Sequence, residues 1–132
     1  MAKQLYIYED ARPITAARHG DWSVKIGEDY RFAAELNSCP LLLAEFSEAA
    51  RAYPVVFIGG EDVVMPIAVL GARDRQNLFV DADGKWTGGS LPAFLRQYPF
   101  VFAQTGEENR LALCIDEAFS GCNTEGRGDR LF

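Results

Sequence analysis

The pattern Arg-x-Tyr-Pro-x-Val-Phe occurs twice in this chain, at residues 51–57 and 96–102. Upstream of each copy, apolar residues recur at the three- and four-residue spacing of a helix that faces a core. The proline predicts the end of each helix, because it disfavours helical geometry in the residue before it. A run of branched and aromatic residues follows each proline, then a polar turn and a second apolar run. The repeat therefore predicts two related α-β-β units.

These units predict an α+β fold with a mainly antiparallel sheet, in a single domain of residues 1–132. Residues 1–36 are expected to form an N-terminal β-hairpin and a linker. Residues 37–86 are assigned to the first α-β-β unit and a connecting hairpin, and residues 87–132 to the second unit and a truncated tail.

Within the N-terminal hairpin, residues 5–8 form one expected strand and residues 22–26 the other, since apolar and polar side chains alternate in the latter. The Arg-Pro pair at residues 12 and 13 is expected to separate these two strands.

The remaining predictions concern one helix start and two segments outside the repeat. A short polar residue followed by proline at residues 37–40 predicts the start of the first helix. Residues 77–86 are expected to form two short strands around an acidic glycine turn. Residues 120–130 are polar and glycine-rich, and we expect a loop or flexible tail there.

Composition excludes several classes of function. The chain has 13 Lys and Arg against 19 Asp and Glu, a net charge of -6. Nucleic-acid binding is not expected, because it depends on clustered cations. The cysteines, Cys39, Cys114 and Cys122, contain no C-x-x-C pair, and so predict neither a disulfide framework nor a zinc site. No metal or cofactor is expected, and free thiols indicate a reducing compartment.

The location predicted from the sequence is cytoplasmic. The first residues lack the apolar core of a signal peptide. The longest mainly apolar stretch, residues 63–72, is far shorter than the roughly 18–20 residues that span a bilayer. If the natural protein continues beyond Phe132, a C-terminal export signal remains an alternative.

Candidate chemistry is sparse. His19 is the only histidine, and a structural role is favoured over catalysis because no serine lies in a G-x-S-x-G elbow. Cys39 would be activated if it began a helix, but a small packed side chain is the favoured interpretation. The acidic turn 81–84 could begin a calcium loop, yet it lacks the glutamate at the twelfth position, which favours a hairpin turn.

Aromatic residues give two interpretations. Core packing is favoured, because these residues fall on the apolar stripes of the repeat; a pocket or a patch that binds another protein is the alternative. Trp86 and Tyr98 have polar tips that suit a boundary position. With His19 they form a speculative binding set. The aromatic residues are Trp86, Phe94, Tyr98, Phe100 and Phe102.

Several segments together resemble the bacterial SapC family, which takes its name from a surface-layer system. The likeness includes His19, runs to Leu131-Phe132, and covers nearly the whole chain. The segments are Leu43-Ala44-Glu45-Phe46, Ala49-Ala50-Arg51-Ala52-Tyr53-Pro54-Val55-Val56-Phe57, Asn77-Leu78-Phe79-Val80, Asp83-Gly84-Lys85-Trp86 and Leu91-Pro92-Ala93-Phe94-Leu95-Arg96-Gln97-Tyr98-Pro99-Phe100.

The resemblance implies a role in surface-layer biology and genes neighbouring outer-membrane receptors, tryptophan halogenases and cupin-like proteins. It also implies a longer natural protein with a helical second half, and it supplies no catalytic residues. The leading hypothesis is a non-enzymatic interaction or assembly module with a protein partner or a second copy. The alternative is a small-molecule-binding enzyme or accessory protein that works beside oxidative tailoring enzymes.

Overall fold

The computed structural model of the protein describes residues 7–106 and 109–132, in which short antiparallel strands dominate. The α+β class is confirmed. The strands are β1 (Ala11–Pro13), β2 (Ser23–Val24), β3 (Ser38–Pro40), β4 (Val55–Gly59), β5 (Val64–Val69), β6 (Phe100–Gln104), β7 (Leu111–Asp116), β8 (Cys122–Asn123) and β9 (Asp129–Arg130). The helices are α1 (Ala16–His19), α2 (Phe46–Ala52) and α3 (Ala93–Arg96).

These elements form two compact units. Among the described residues, the first unit comprises Ile7 and Glu28–Arg96, and the second comprises Tyr8–Gly27 and Gln97–Phe132. The division of residues 1–132 made from the sequence stays a prediction.

The first unit is built on a sheet with the strand order β3-β5-β4. Helix α2 precedes the β4-β5 hairpin and ends before Pro54, as the sequence predicts. Ala49 is buried on the helix, and Tyr53, which follows its last residue, is buried as well. Arg51 lies in the last turn of α2, where a cation is stabilised by the negative end of the helix dipole.

The second unit contains two small sheets, β1-β7-β6 and β8-β2-β9, with antiparallel pairing throughout. Its buried residues include Val24, Ile115 and Cys114, together with several polar side chains. The buried polar residues of this unit are His19, Ser23 and Asp116. Hydrogen bonds to these groups therefore determine much of its internal packing.

At both copies of the repeat the elements occur in the order helix, strand, strand. The strand predicted at residues 100–104 coincides with β6. The strands predicted at residues 55–58, 63–70 and 111–115 agree with β4, β5 and β7 within one residue at each end. The peptide bond before Pro99 is cis. That the two copies are related by duplication stays a prediction.

The predicted N-terminal β-hairpin is wrong. Strand β1 lies where a break is predicted, and it pairs with β7, while β2 pairs with β8 and β9. Local alternation identifies a strand but not its partner, and these partners lie about a hundred residues away. Pro13 is tolerated because β1 is an edge strand. Of the predicted strand 5–8, residues 5 and 6 lie outside the described residues, and residues 7 and 8 are not strand.

The predicted helix start at residues 37–40 is also wrong. These residues include β3, which pairs with β5, and the helix begins only at Phe46 after a 3-10 turn at Leu43–Glu45. The polar residue and proline that resemble a helix cap instead belong to an edge strand, where proline is equally acceptable.

Two further segments differ from the prediction. In residues 77–86 the expected pair of strands is reduced to a single bridge between Val80 and Trp86. Residues 120–130 are not an unstructured tail, because β8 and β9 lie within them and both pair with β2. Among the described residues, no helix is long and apolar enough to cross a membrane.

Candidate protein interface

The β4-β5 hairpin exposes an unusual amount of apolar side chain. Phe57, the last residue of the first repeat, is 63% exposed. Exposed apolar residues are ordinary when scattered, but several in one hairpin, on both of its faces, indicate an interaction surface. We call this set the β4 patch. Its residues are Val56, Phe57, Ile58, Val63 and Val64.

The hydrogen bonds of the hairpin determine which backbone groups of β4 face outward. The N–H of Val69 donates to the carbonyl of Pro54 (2.9 Å) at one end of the ladder. The N–H of Gly60 donates to the carbonyl of Val63 (3.1 Å) at the other. Bonded pairs alternate along an antiparallel ladder, so the even-numbered residues of β4 bond to β5 and the odd-numbered residues point away.

Val55 and Phe57 therefore direct their N–H and C=O groups away from β5. Strand β4 is the last strand of its sheet, and no other strand among the described residues pairs with it on this side. This side of β4, which we call the β4 edge, presents free backbone donors and acceptors next to exposed apolar side chains.

The opposite edge of the same sheet is protected. Strand β3 is three residues long, and Leu41 N–H donates to Pro66 C=O (3.0 Å) beyond its end. By the same alternation Pro40 lies at an outward position, where it has no N–H to offer. Short length and proline are two ways in which proteins block edge pairing.

The corresponding strand of the second unit is partly occupied. Strand β6 is also an edge strand, and Phe102, the last residue of the second repeat, is 66% exposed. The core position that the sequence predicts for Phe102 is therefore wrong. At Phe100, however, the N–H donates to Gln97 C=O (2.8 Å), and the C=O accepts from Tyr8 OH (2.9 Å).

Trp86, one member of the speculative binding set, lies in an aromatic cluster of the first unit. Its indole N–H donates to Tyr53 OH (2.9 Å), which donates to the carbonyl of Ser90 (2.8 Å). The Trp86 ring also packs against Phe79 and Tyr30, with ring centroids 5.8 and 6.2 Å away. The half-buried boundary position expected for Trp86 agrees with these contacts.

Tyr98, the second member, lies in the second unit beside a buried carboxylate. Its hydroxyl donates to Asp116 Oδ2 (3.1 Å), and its ring packs against Tyr8 and Phe119. Burial, together with the negative charge of Asp116, raises the pKa of Tyr98 above its usual value. The same effect of burial raises the pKa of Tyr8 to about 12. Both phenols are therefore hydrogen-bond donors at neutral pH.

His19, the third member, is fully buried in the second unit. Thr15 N–H donates to Nδ1 (3.2 Å), so Nδ1 is an acceptor and Nε2 is the donor to Glu117 Oε1 (3.0 Å). With both nitrogens bonded and no exposed surface, this arrangement holds the turn after β1 in place. A general base needs a free nitrogen within reach of substrate.

Glu117 is held by Arg18 as well as by His19. Arg18 donates to both carboxylate oxygens through Nε and Nη2, with Nη2 2.6 Å from Oε2. This pairing lowers the pKa of Glu117 to about 2. Because the pKa of Glu117 is lower in the folded chain than in the unfolded chain, the ionised carboxylate stabilises the fold at pH values above the usual glutamate pKa. That stabilisation is lost as the pH falls towards 2.

The pairing of Glu117 predicts a specific dependence of stability on pH. We expect Glu117→Gln to lower the free energy of unfolding at pH 7, and the difference from wild type to shrink between about pH 5 and pH 2. Urea unfolding followed by circular dichroism at each pH measures it. Glu28→Gln, which removes one negative charge at an exposed position, is the control. A difference that stays constant from pH 7 to pH 2 would contradict the linkage.

Cys39 does not lie at a helix terminus. It belongs to β3 and is buried, and burial raises the pKa of its thiol to about 12. A reactive cysteine requires the opposite shift. The packed side chain favoured from the sequence agrees with this position.

The first unit also contains a cavity of about 640 Å³. Its lining is mixed, with Phe32 and Leu36 among the apolar residues and Asn37 and Arg75 among the polar ones. The guanidinium of Arg75 pairs with Glu35 through two nitrogens, at distances of 2.7–3.0 Å. None of the three residues of the speculative binding set lines it.

The three residues thus fall in different places. Trp86 belongs to the first unit, and His19 and Tyr98 belong to the second, where they bond to consecutive carboxylates, Glu117 and Asp116. Their joint role in binding stays a prediction. Within the described residues, no three His, Cys, Asp or Glu side chains converge as a metal site.

The β4 edge was not identified from the sequence as an interaction surface. One signal for it exists: residues 55–60 carry no charge, although exposed edge strands are usually protected by lysine or proline. Reading that signal requires knowing that β4 lies at an edge, which depends on the unpredicted pairing of β3 with β5.

The structure defines an α+β protein of small antiparallel sheets with an open, apolar edge strand. The SapC family model matches residues 14–132. The chain belongs to the SapC family, as its sequence motifs indicate. Neither a curated protein nor a solved structure matches it significantly.

Proposed function

We propose that this protein is a non-enzymatic interaction or assembly module that binds protein through the β4 edge. The observation that carries the proposal is the unpaired backbone of Val55 and Phe57 beside the exposed β4 patch. Proteins commonly bind extended segments by adding a strand to such an edge, where backbone hydrogen bonds provide affinity and side-chain contacts provide specificity.

The energetics of the β4 patch support this function. Fully burying a phenylalanine contributes about 1.5–3 kcal/mol, and Phe57 alone has most of its surface available. Adjacent branched side chains at Ile58 and Val63 extend the contact on both sides of the hairpin. Hot spots of protein interfaces are often single aromatic residues surrounded by weaker contacts.

Membership of the SapC family supports a role in envelope or surface-layer biology. The net charge of -6 favours protein over nucleic acid as the partner. Three cysteines without a disulfide between them support residence in a reducing compartment such as the cytoplasm.

The function is tested by affinity capture from the native host with wild-type protein and Phe57→Lys. The lysine places a charge at the centre of the β4 edge. We expect a stable partner, a host protein or a second copy, to bind wild type and to bind Phe57→Lys at least about ten-fold more weakly, a change of about 1.4 kcal/mol. Leu78→Lys, at an exposed apolar residue of the same unit outside β4, is the control and should bind as wild type does.

A wild-type chain that retains no host protein and is also monomeric at high concentration would contradict the proposed function. If Phe57→Lys and Leu78→Lys weaken partner binding equally, the binding surface does not lie at β4.

A second candidate function, small-molecule binding beside oxidative tailoring enzymes, is favoured only by the cavity of the first unit. Its volume lies within the range of about 300–1,000 Å³ typical of ligand sites. Leu36→Trp should fill the cavity and abolish any ligand-induced rise in Tm found by screening metabolites against wild type. A screen without a stabilising compound, or a rise that survives Leu36→Trp, would count against this candidate.

A further inference from the structure

We propose that the β4 edge pairs with β4 of a second copy of this chain, antiparallel and about a two-fold axis at Phe57. This inference rests on the proposed function and names its partner. Joining the sheets of two copies through β4 produces a continuous six-stranded sheet with the order β3-β5-β4-β4-β5-β3.

The backbone of β4 permits this register. Phe57 points its N–H and C=O outward, so two copies related by the axis exchange both hydrogen bonds at Phe57. In the same register Val55 of one copy lies opposite Gly59 of the other, and both occupy outward positions. The pairs 57–57 and 55–59 are therefore hydrogen-bonded pairs, and the pair 56–58 between them is a non-hydrogen-bonded pair.

The charges around β4 favour a copy of this chain as the partner. No charged residue lies between Val55 and Gly60, so two β4 strands meet without repulsion although each chain is acidic. The turn that follows carries Glu61 and Asp62, and in this register it reaches the level of residues 52 and 53 of the other copy. Near these residues Arg51, whose side chain is 78% exposed and lies 3.7 Å from Glu48 of its own chain, supplies the opposite charge.

Strand β6 is the less suitable edge for self-pairing. A symmetric pair would need the backbone of Phe100 as well as that of Phe102, and the groups of Phe100 already bond to Gln97 and Tyr8. The two edges otherwise have similar exposed phenylalanines, which makes Phe102 a matched control for Phe57.

Sedimentation velocity over a range of concentrations provides the first test. We expect wild type to be in a reversible monomer–dimer equilibrium, and Phe57→Lys, which places two lysines face to face at the axis, to raise the dimer Kd at least about ten-fold. Phe102→Lys should dimerise as wild type does. Far-UV circular dichroism and thermal unfolding establish that each variant is folded.

Cysteine cross-linking tests the register. In an antiparallel bonded pair the two Cα atoms are about 5.5 Å apart, within the range of about 4.4–6.8 Å for a disulfide. Phe57→Cys should therefore form a covalent dimer on mild oxidation. Ile58→Cys lies opposite residue 56 of the other copy rather than opposite itself, so it should cross-link no more than wild type, which carries the three natural cysteines.

Each alternative outcome overturns the inference. A monomeric wild type that still captures a host protein through Phe57 rejects self-pairing and leaves the proposed function standing. Dissociation by Phe102→Lys instead of Phe57→Lys assigns the dimer to β6, and dissociation by both indicates β4 pairing with β6. Equal cross-linking at residues 57 and 58 rejects the two-fold register.

Discussion

Replacing Asp116 by alanine is expected to lower the free energy of unfolding by about 3–5 kcal/mol, since each buried donor left unpaired costs about 1–3 kcal/mol and such losses add incompletely. The Asp116 carboxylate has no exposed surface. It accepts hydrogen bonds from the N–H groups of Glu9, Asp10 and Ala118 at 2.9–3.1 Å, and from Tyr98 OH. Urea unfolding at pH 7 measures the loss.

Asp116→Asn removes the negative charge while keeping nearly the same side-chain shape. Its single oxygen can replace Oδ1, which accepts from Asp10 and Ala118, but its NH₂ group then faces the N–H of Glu9. An intermediate loss of about 1–3 kcal/mol is expected. Asp21→Ala removes an exposed carboxylate and should change stability by less than about 0.5 kcal/mol. A loss below about 1 kcal/mol for Asp116→Ala would show that water or rearrangement satisfies the donors.

Replacing Tyr53 by alanine is expected to cost about 3–5 kcal/mol, the usual range for removing a large buried aromatic side chain. Tyr53 is the tyrosine of the first repeat, and its ring packs edge-on against Phe79 with centroids 4.8 Å apart. The loss combines the cavity left by the ring with the unpaired indole N–H of Trp86. Chemical unfolding followed by tryptophan fluorescence measures it.

Tyr53→Phe isolates the hydroxyl. The ring contacts remain, while the donor of Trp86 and the acceptor of Ser90 lose their partner. We expect a loss of about 1–3 kcal/mol, and a red shift of tryptophan emission if water replaces the hydroxyl. If Tyr53→Phe costs as much as Tyr53→Ala, packing of the ring is not the main contribution, contrary to the geometry.

The repeat shows what local sequence can predict. Helix ends before Pro54 and Pro99, and the strands that follow each proline, depend on constraints that act within a few residues. The predicted start of α2 is wrong because a polar residue before proline suits an edge strand as well as a helix cap. Only the pairing of β3 with β5, some thirty residues apart, decides between them.

The surroundings of the candidate residues were beyond local prediction for the same reason. His19 bonds to Glu117, which lies 98 residues away in the sequence. Tyr98 bonds to Asp116, which lies 18 residues away. No spacing rule connects His19 to Glu117. A boundary position was expected for Tyr98, and its half-buried side chain agrees, whereas Tyr53 of the first repeat is buried. Both hydroxyls form hydrogen bonds, but their partners differ between the two copies.

Pro40 makes the two edges of the first unit's sheet unequal in their ability to pair with another strand. Among the described residues of this sheet, β4 is the open edge and β3 the protected one, so in the proposed dimer pairing through β4 leaves no open edge of this sheet and assembly through it stops at two copies. Sheets open on both sides can add copies without limit, as fibres do. In the proposed dimer, the short length of β3 and its proline therefore favour a finite complex over open-ended aggregation through this sheet.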